Sequence, residues 1–207
     1  SAAMMRNGNH YPLFPCDANS IQAAYDWALT THNKTIAIFA SKTALPVRTT
    51  LAQARQAVET GAVALYETAR SSGPLLVLAV TGDMVLLPVF AAGEALEQRG
   101  ARVRILSIVN PRRLYRPQDV SWNSVAEPDG EFMDDAGFAA LFDGDALLAI
   151  SGGPSASLEP VLLRSNAKRD ALCWQRGETV AAAGELMGFN GLDAPAIEAR
   201  ARGLLGL

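Results

Sequence analysis

The chain has 207 residues, 49% of them apolar, and a formal net charge of −3, enough to bury one full core, or one core plus a smaller appended lobe. Its near-neutral balance leaves Lys and Arg scattered apart from the small Pro111-Arg112-Arg113 cluster, so no basic stripe recommends a nucleic acid partner. The apolar run Leu75–Val80 is cut by Thr81-Gly82-Asp83, far short of the roughly 20 residues that cross a bilayer, and no membrane span is expected.

In chain order, Ser1-Ala2-Ala3-Met4-Met5 lacks the pattern of a secretory signal, reads as an expression scar and is set aside. An irregular opening, Arg6–Pro15, leads to Asp17-Ala18-Asn19-Ser20, whose side chains can cap a helix carrying Ile21, Ala24, Tyr25 and Leu29 at helical spacing. Thr35–Ala40 reads as a short buried strand that delivers Ser41-Lys42 to its C-terminal end, where α/β sheets usually place chemistry. Thr49 and Thr50 cap a second helix that runs to Glu59 and stops at Gly61, a left-handed C-terminal residue.

The breaker run Ser71-Ser72-Gly73-Pro74 separates this region from a regular alternation of strands and helices, and a domain boundary is expected there. Leu75–Val80 is a buried strand, a helix starts at Asp83 and runs to Arg99, Gly100 ends it, and Val103–Val109 is the next strand. A loop from Asn110 to Gly130 precedes a helix ending near Phe142. There follow a strand at Ala146–Ile150, a glycine-rich turn, a helix near Leu158–Arg164, a strand at Ala171–Gln175 and a last helix from Pro195. The alternation implies an α/β fold: a mostly parallel sheet covered on both faces.

Few side chains stand out as chemistry. The two cysteines, Cys16 and Cys173, have no partner at metal spacing and read as free thiols of a reducing, cytoplasmic compartment. The turn Ser151-Gly152-Gly153-Pro154-Ser155 lies between a strand and a helix, where backbone N–H groups can cradle an anion, although a plain tight turn explains it as well. It approaches a nucleophile elbow but has Ser155 where the second glycine belongs, and both histidines, His10 and His32, lie upstream, which argues against a hydrolase. His10 is a candidate phosphate contact beside its plainer reading as a surface residue, and His32 reads as a helix C-terminal residue. Asp17 and Asn19 are explained by capping about as well as by a site, and Trp174 reads as core. Lys42 is the strongest candidate, because a lysine closing a strand can pack its stem and aim its ammonium into the crevice above the sheet; the alternative is a solvated strand-end lysine.

Taken together, Phe14-Pro15-Cys16-Asp17-Ala18-Asn19, Asn33-Lys34 and Ala37-Ile38-Phe39-Ala40-Ser41-Lys42 through Pro46 resemble the end of the pyrimidine-binding domain of thiamine-diphosphate-dependent phosphoketolases, in the transketolase superfamily. The likeness continues through Leu51, Ala54, Glu59–Gly61, Gly82-Asp83, Arg104–Val109, Arg113-Leu114, Pro117, Phe138, Leu141 and Phe142, in order and with similar spacing, to about Pro154. It implies a C–C lyase that cleaves xylulose 5-phosphate or fructose 6-phosphate with inorganic phosphate, giving acetyl phosphate and an aldose phosphate. In such an enzyme the lysine matching Lys42 binds phosphate at the active-site entrance, Ser151, Gly152, Gly153 and His10 being secondary candidates.

The resemblance further implies that thiamine diphosphate and Mg are held by N-terminal domains missing from this chain, that the chain contains no catalytic, cofactor-binding or metal-binding residue, and that it does not turn over alone. The parent would be a cytoplasmic homodimer. Departures begin after Ile150: Ser151-Gly152-Gly153-Pro154 stands for the family's His-Gly-Tyr-Pro, and Trp174-Gln175-Arg176-Gly177 for its Tyr-Lys-Glu-Gly. On this reading residues 6–72 are the tail of a pyrimidine-binding-type domain and 73–207 a transketolase-C-like domain serving assembly and the shape of the entrance. The competing reading is a non-catalytic α/β module, or a divergent paralogue, that binds an anionic metabolite or a partner subunit.

Overall fold

The computed structural model describes residues 10–120, 132–175 and 180–207. Two sheets organise them. The first pairs β1 (His10–Leu13) with β2 (Thr35–Ile38) in parallel. Helices α1 (Ala18–Thr30) and α2 (Leu51–Thr60) bury Ala23, Ala24, Ala54, Ala57 and Val58 against Leu13, Ile36 and Ile38.

The second sheet has five strands in the order β3-β5-β4-β6-β7: β3 (Ala62–Glu67), β4 (Leu75–Thr81), β5 (Arg102–Ile108), β6 (Ala146–Ser151) and β7 (Lys168–Cys173). Strand β3 runs antiparallel to β5 and the rest are parallel. Alternate residues of the central strands face opposite ways. Leu76, Leu78, Val80, Leu148 and Ile150 pack beneath α3 (Leu86–Gln98) and α7 (Ala194–Leu205) through Val89, Leu96, Ile197 and Ala201. Val77, Ala79, Leu147 and Ala149 pack beneath α4 (Asp135–Phe142) and α5 (Glu159–Arg164) through Phe138, Phe142 and Val161. Both faces are therefore covered, which is why Leu75–Thr81 is buried at every position and reads as one continuous apolar run.

Several expectations change. His10–Leu13 is a strand rather than irregular chain, because its partner β2 supplies hydrogen bonds that a local reading of a proline-containing stretch cannot see. Strand β2 is not buried: it alternates exposed and half-buried, since helices cover only one of its faces. Ala62–Glu67, not anticipated, forms an edge of the larger sheet although it precedes Ser71–Pro74. Helix α3 begins at Leu86, after a turn, and Asp83 contributes its backbone carbonyl to that turn while its carboxylate goes elsewhere. Strand β7 starts three residues earlier than expected, on Lys168-Arg169-Asp170, charges that an edge strand tolerates. A short helix, α6 (Ala183–Phe189), precedes α7. Residues 121–130 of the expected loop and 176–179 of the departing segment lie outside the described residues.

Candidate functional site

A crevice of about 410 Å³ opens at the C-terminal ends of β4 and β6. The connection from β4 goes to β5 on one side, and the chain then returns to β6 on the other. Loops at such a reversal part and leave a cleft. Gly82, Asp83 and Met84 form its floor on one side, Gly152, Gly153 and Pro154 on the other, and β1 and β2 supply its roof through His10, Pro12, Thr35 and Ala37. Phe14 and Phe39, whose rings stack with centroids 5.2 Å apart, and Ser41 complete a largely apolar wall.

The crevice thus gathers His10, Gly152 and Gly153 of the sequence candidates, with Ser41 directly before Lys42. His10 is half-buried in the roof. Lys42 itself is exposed, four residues past the end of β2, and does not line the crevice. The glycine turn is organised from within. Gly152 N–H donates to the Thr81 carbonyl at 2.9 Å and Gly153 N–H to Ser151 Oγ at 3.1 Å. Ser151 and Thr81 hydroxyls each lie within hydrogen-bond distance of Ser157 Oγ, at 3.2 and 2.9 Å. These two amides are already engaged, unlike the free N–H groups of an anion cradle.

The segment from Ser41 to Thr49 carries Lys42 and is fixed at both ends. At its far end the Asp17 carboxylate is a hub: Oδ2 accepts from Arg48 N at 2.8 Å and Thr49 N at 2.7 Å, while Oδ1 accepts from Ser20 N at 2.8 Å. Thr49 Oγ1 and Ser20 Oγ also donate to it. Burial pulls the Asp17 carboxyl upward, but these hydrogen bonds to the ionised form outweigh it and hold the group below the usual carboxylate range. Asn19 Nδ2 adds a 2.6 Å bond to the Thr49 carbonyl. Asp17 is therefore both the cap of α1, as its sequence indicates, and a clamp on the Lys42 segment. The Arg48 guanidinium lies 3.7 Å from the centre of the Phe90 ring, a cation–π contact to α3.

At the near end, Ser41 N donates to Asp83 Oδ2 at 2.8 Å. Asp83 was missed as a site residue because an aspartate before an apolar helix reads as a cap. The Gly82-Asp83 pair after a buried strand is the available signal. Gly82 at φ 87° makes the turn that sends the Asp83 side chain across to Ser41. Burial pushes the Cys16 thiol up, so it is a packed apolar group rather than a nucleophile. Among the described residues no group of three or more His, Cys, Asp and Glu could hold a metal ion, and the crevice's single carboxylate, Asp83, is already hydrogen-bonded. These residues do not fit a magnesium diphosphate. Among them, too, no helix is long and apolar enough to cross a membrane.

No family model matches the chain. Over 135 residues it is 30% identical to a probable phosphoketolase of Bifidobacterium animalis subsp. lactis (strain AD011), covering 64% of this chain and 15% of that protein. A transketolase variant from Pichia stipitis superposes with a TM-score of 0.65 at 16% identity, over 96% of this chain and 25% of that one. Transketolase from Leishmania mexicana gives 0.65 at 19% identity, over 99% and 26%. A split-gene transketolase, in an inactive tetramer of its beta chain, gives 0.66 at 15% identity, over all of this chain and 61% of that one. The chain thus spans about a seventh of its curated relative and about a quarter of the two longer transketolases. In sequence the chain is similar to a phosphoketolase, and in fold it is similar to transketolases over nearly its whole length.

Proposed function

We propose that this chain is the C-terminal part of a phosphoketolase, a thiamine-diphosphate-dependent lyase that cleaves xylulose 5-phosphate or fructose 6-phosphate with inorganic phosphate to acetyl phosphate and an aldose phosphate. The observation that carries the reading is the 30% identity over 135 residues, joined to a transketolase-type fold over nearly the whole chain. On this reading residues 6–72 are the end of a pyrimidine-binding-type domain, whose last strand, Ala62–Glu67, pairs into the sheet of the C-terminal domain, residues 73–207. Other polypeptide, not this chain, supplies the diphosphate and magnesium ligands, and thiamine diphosphate supplies carbanion stabilisation when bound there.

This chain contributes the entrance. Lys42, exposed beside the crevice, offers a charge-assisted donor to a phosphate dianion. The apolar crevice wall beneath it excludes water from one side of the approach. The assembled enzyme is a cytoplasmic homodimer.

The test is acetyl phosphate formation, trapped as the hydroxamate. With xylulose 5-phosphate, phosphate, thiamine diphosphate and Mg²⁺, the 207-residue chain alone should form none, and a polypeptide that joins it to its cofactor-binding part should form it. In that polypeptide Lys42→Ala should raise the KM for phosphate with kcat little changed. Failure of the joined polypeptide to form acetyl phosphate would overturn the assignment, and an unchanged phosphate KM would remove Lys42 from it.

A further inference from the structure

We propose that Asp83 is a positioning residue for the phosphate contact, anchoring Ser41 at the near end of the Ser41–Thr49 strap to the five-stranded sheet so that Lys42 is held beside the crevice. The inference rests on the reading of Lys42 as that contact. Asp83 lies on the β4–α3 turn, only 6% exposed, in a largely apolar crevice. A buried carboxylate is tolerated there only with a donor, and the donor is the Ser41 amide, 42 residues away in sequence and directly adjacent to Lys42.

The strap has no helix or strand between Ser41 and Thr49. Lys42, Thr43, Ala44, Pro46 and Val47 are exposed, so packing does little to place them. Its course is set by its ends. Asp17 and Asn19 fix the far end on α1, and Arg48 over Phe90 ties that end also to α3. At the near end Phe39 is tied to Leu13 by its N–H at 2.9 Å, and Asp83 holds the next fixed point, Ser41, beside Lys42. With both ends fixed, the six residues between them span a defined gap. With Ser41 released, the free stretch begins at Ala40 instead of Lys42, samples more paths, and holds Lys42 beside the crevice in only a fraction of them. The apparent dissociation constant rises by the inverse of that fraction. Asp83 acts through Ser41, whose amide its carboxylate accepts.

The experiment titrates the ¹⁵N-labelled 207-residue chain with inorganic phosphate, then with xylulose 5-phosphate, following the strap amides, for wild type, Lys42→Ala, Asp83→Ala and Asp83→Asn. Wild type should show saturable shifts that Lys42→Ala abolishes. Losing a charge-assisted bond should weaken binding about tenfold in Asp83→Ala. Asp83→Asn keeps an acceptor oxygen and should recover most of the affinity, remaining two- to threefold weaker by about the difference between neutral and charged acceptors. If Asp83→Ala fails to fold, that two- to threefold loss in Asp83→Asn carries the test. Wild-type affinity in both Asp83 variants, with binding lost in Lys42→Ala, would overturn the positioning role and leave Lys42 standing. Binding that Lys42→Ala does not change, or no saturable binding by wild type, would overturn the Lys42 reading itself and the proposal with it.

Discussion

In the five-stranded sheet, β4 and β6 are buried at every residue between two layers of helices. In the two-stranded pair, β2 alternates exposed and half-buried, and only its inner face, Ile36 and Ile38, meets α1 and α2. Both contain parallel pairing, yet one is sealed and the other half open. Stability is concentrated in the first, and the open surface that can meet another molecule in the second. The residues holding the strap draw on both, Asp83 from the sealed unit and Asp17 from the open one.

The largest effect that would test this division is in the core. Leu78→Ala, at a fully buried position of the central strand, should cost about 3 kcal/mol, whereas Ile36→Ala in the half-covered strand should cost about 1 kcal/mol. Urea unfolding of both variants measures the contrast, and equal costs would break it.

Next comes the Asp17 clamp. Asp17→Ala leaves the amides of Arg48, Thr49 and Ser20 without their acceptor and should cost about 2 kcal/mol. The sign of its pH dependence is fixed. The folded carboxyl sits below its ordinary range, so its contribution is complete above the unfolded pKa and is lost as pH falls through that value towards the depressed folded one. The stability gap between wild type and Asp17→Asn should therefore be full at neutral pH and shrink through the ordinary aspartate range. A gap that does not change with pH would show that the carboxylate's charge is idle.

The smallest effect lies on the surface of the open unit. Arg55 and Asp26 form a 3.1 Å ion pair with both side chains about half exposed. Breaking it with Arg55→Ala should cost less than about 0.5 kcal/mol and vanish in high salt.

The sealed sheet was the legible part. Leu75–Thr81, Arg102–Ile108 and Ala146–Ser151 lie within a residue or so of where their apolar runs place them, because burial on both faces selects continuous hydrophobicity. The caps at Asp17 and Thr50 and the stop at Gly61 were legible for a local reason: their partners lie within four residues. What stayed hidden depends on distant partners. His10–Leu13 becomes a strand only through β2, and Ala62–Glu67 only through β5. Ala183–Phe189 hides behind Gly184 and Gly188, poor helix formers that its setting overrides. In the site, the residue type at position 42 was readable, but its exposure was not, and neither was the reach of Asp83 to Ser41 across 42 residues.

The antiparallel edge strand β3 shifts register against β5 between Ala64 and Tyr66 and ends on Glu67, paired with Arg104 at 3.0 Å. The opposite edge, β7, opens on Lys168-Arg169-Asp170. An irregularity at one border and three charges at the other make a poor template for a further strand. The five-stranded sheet therefore has a set width, with neither border shaped to accept a sixth strand.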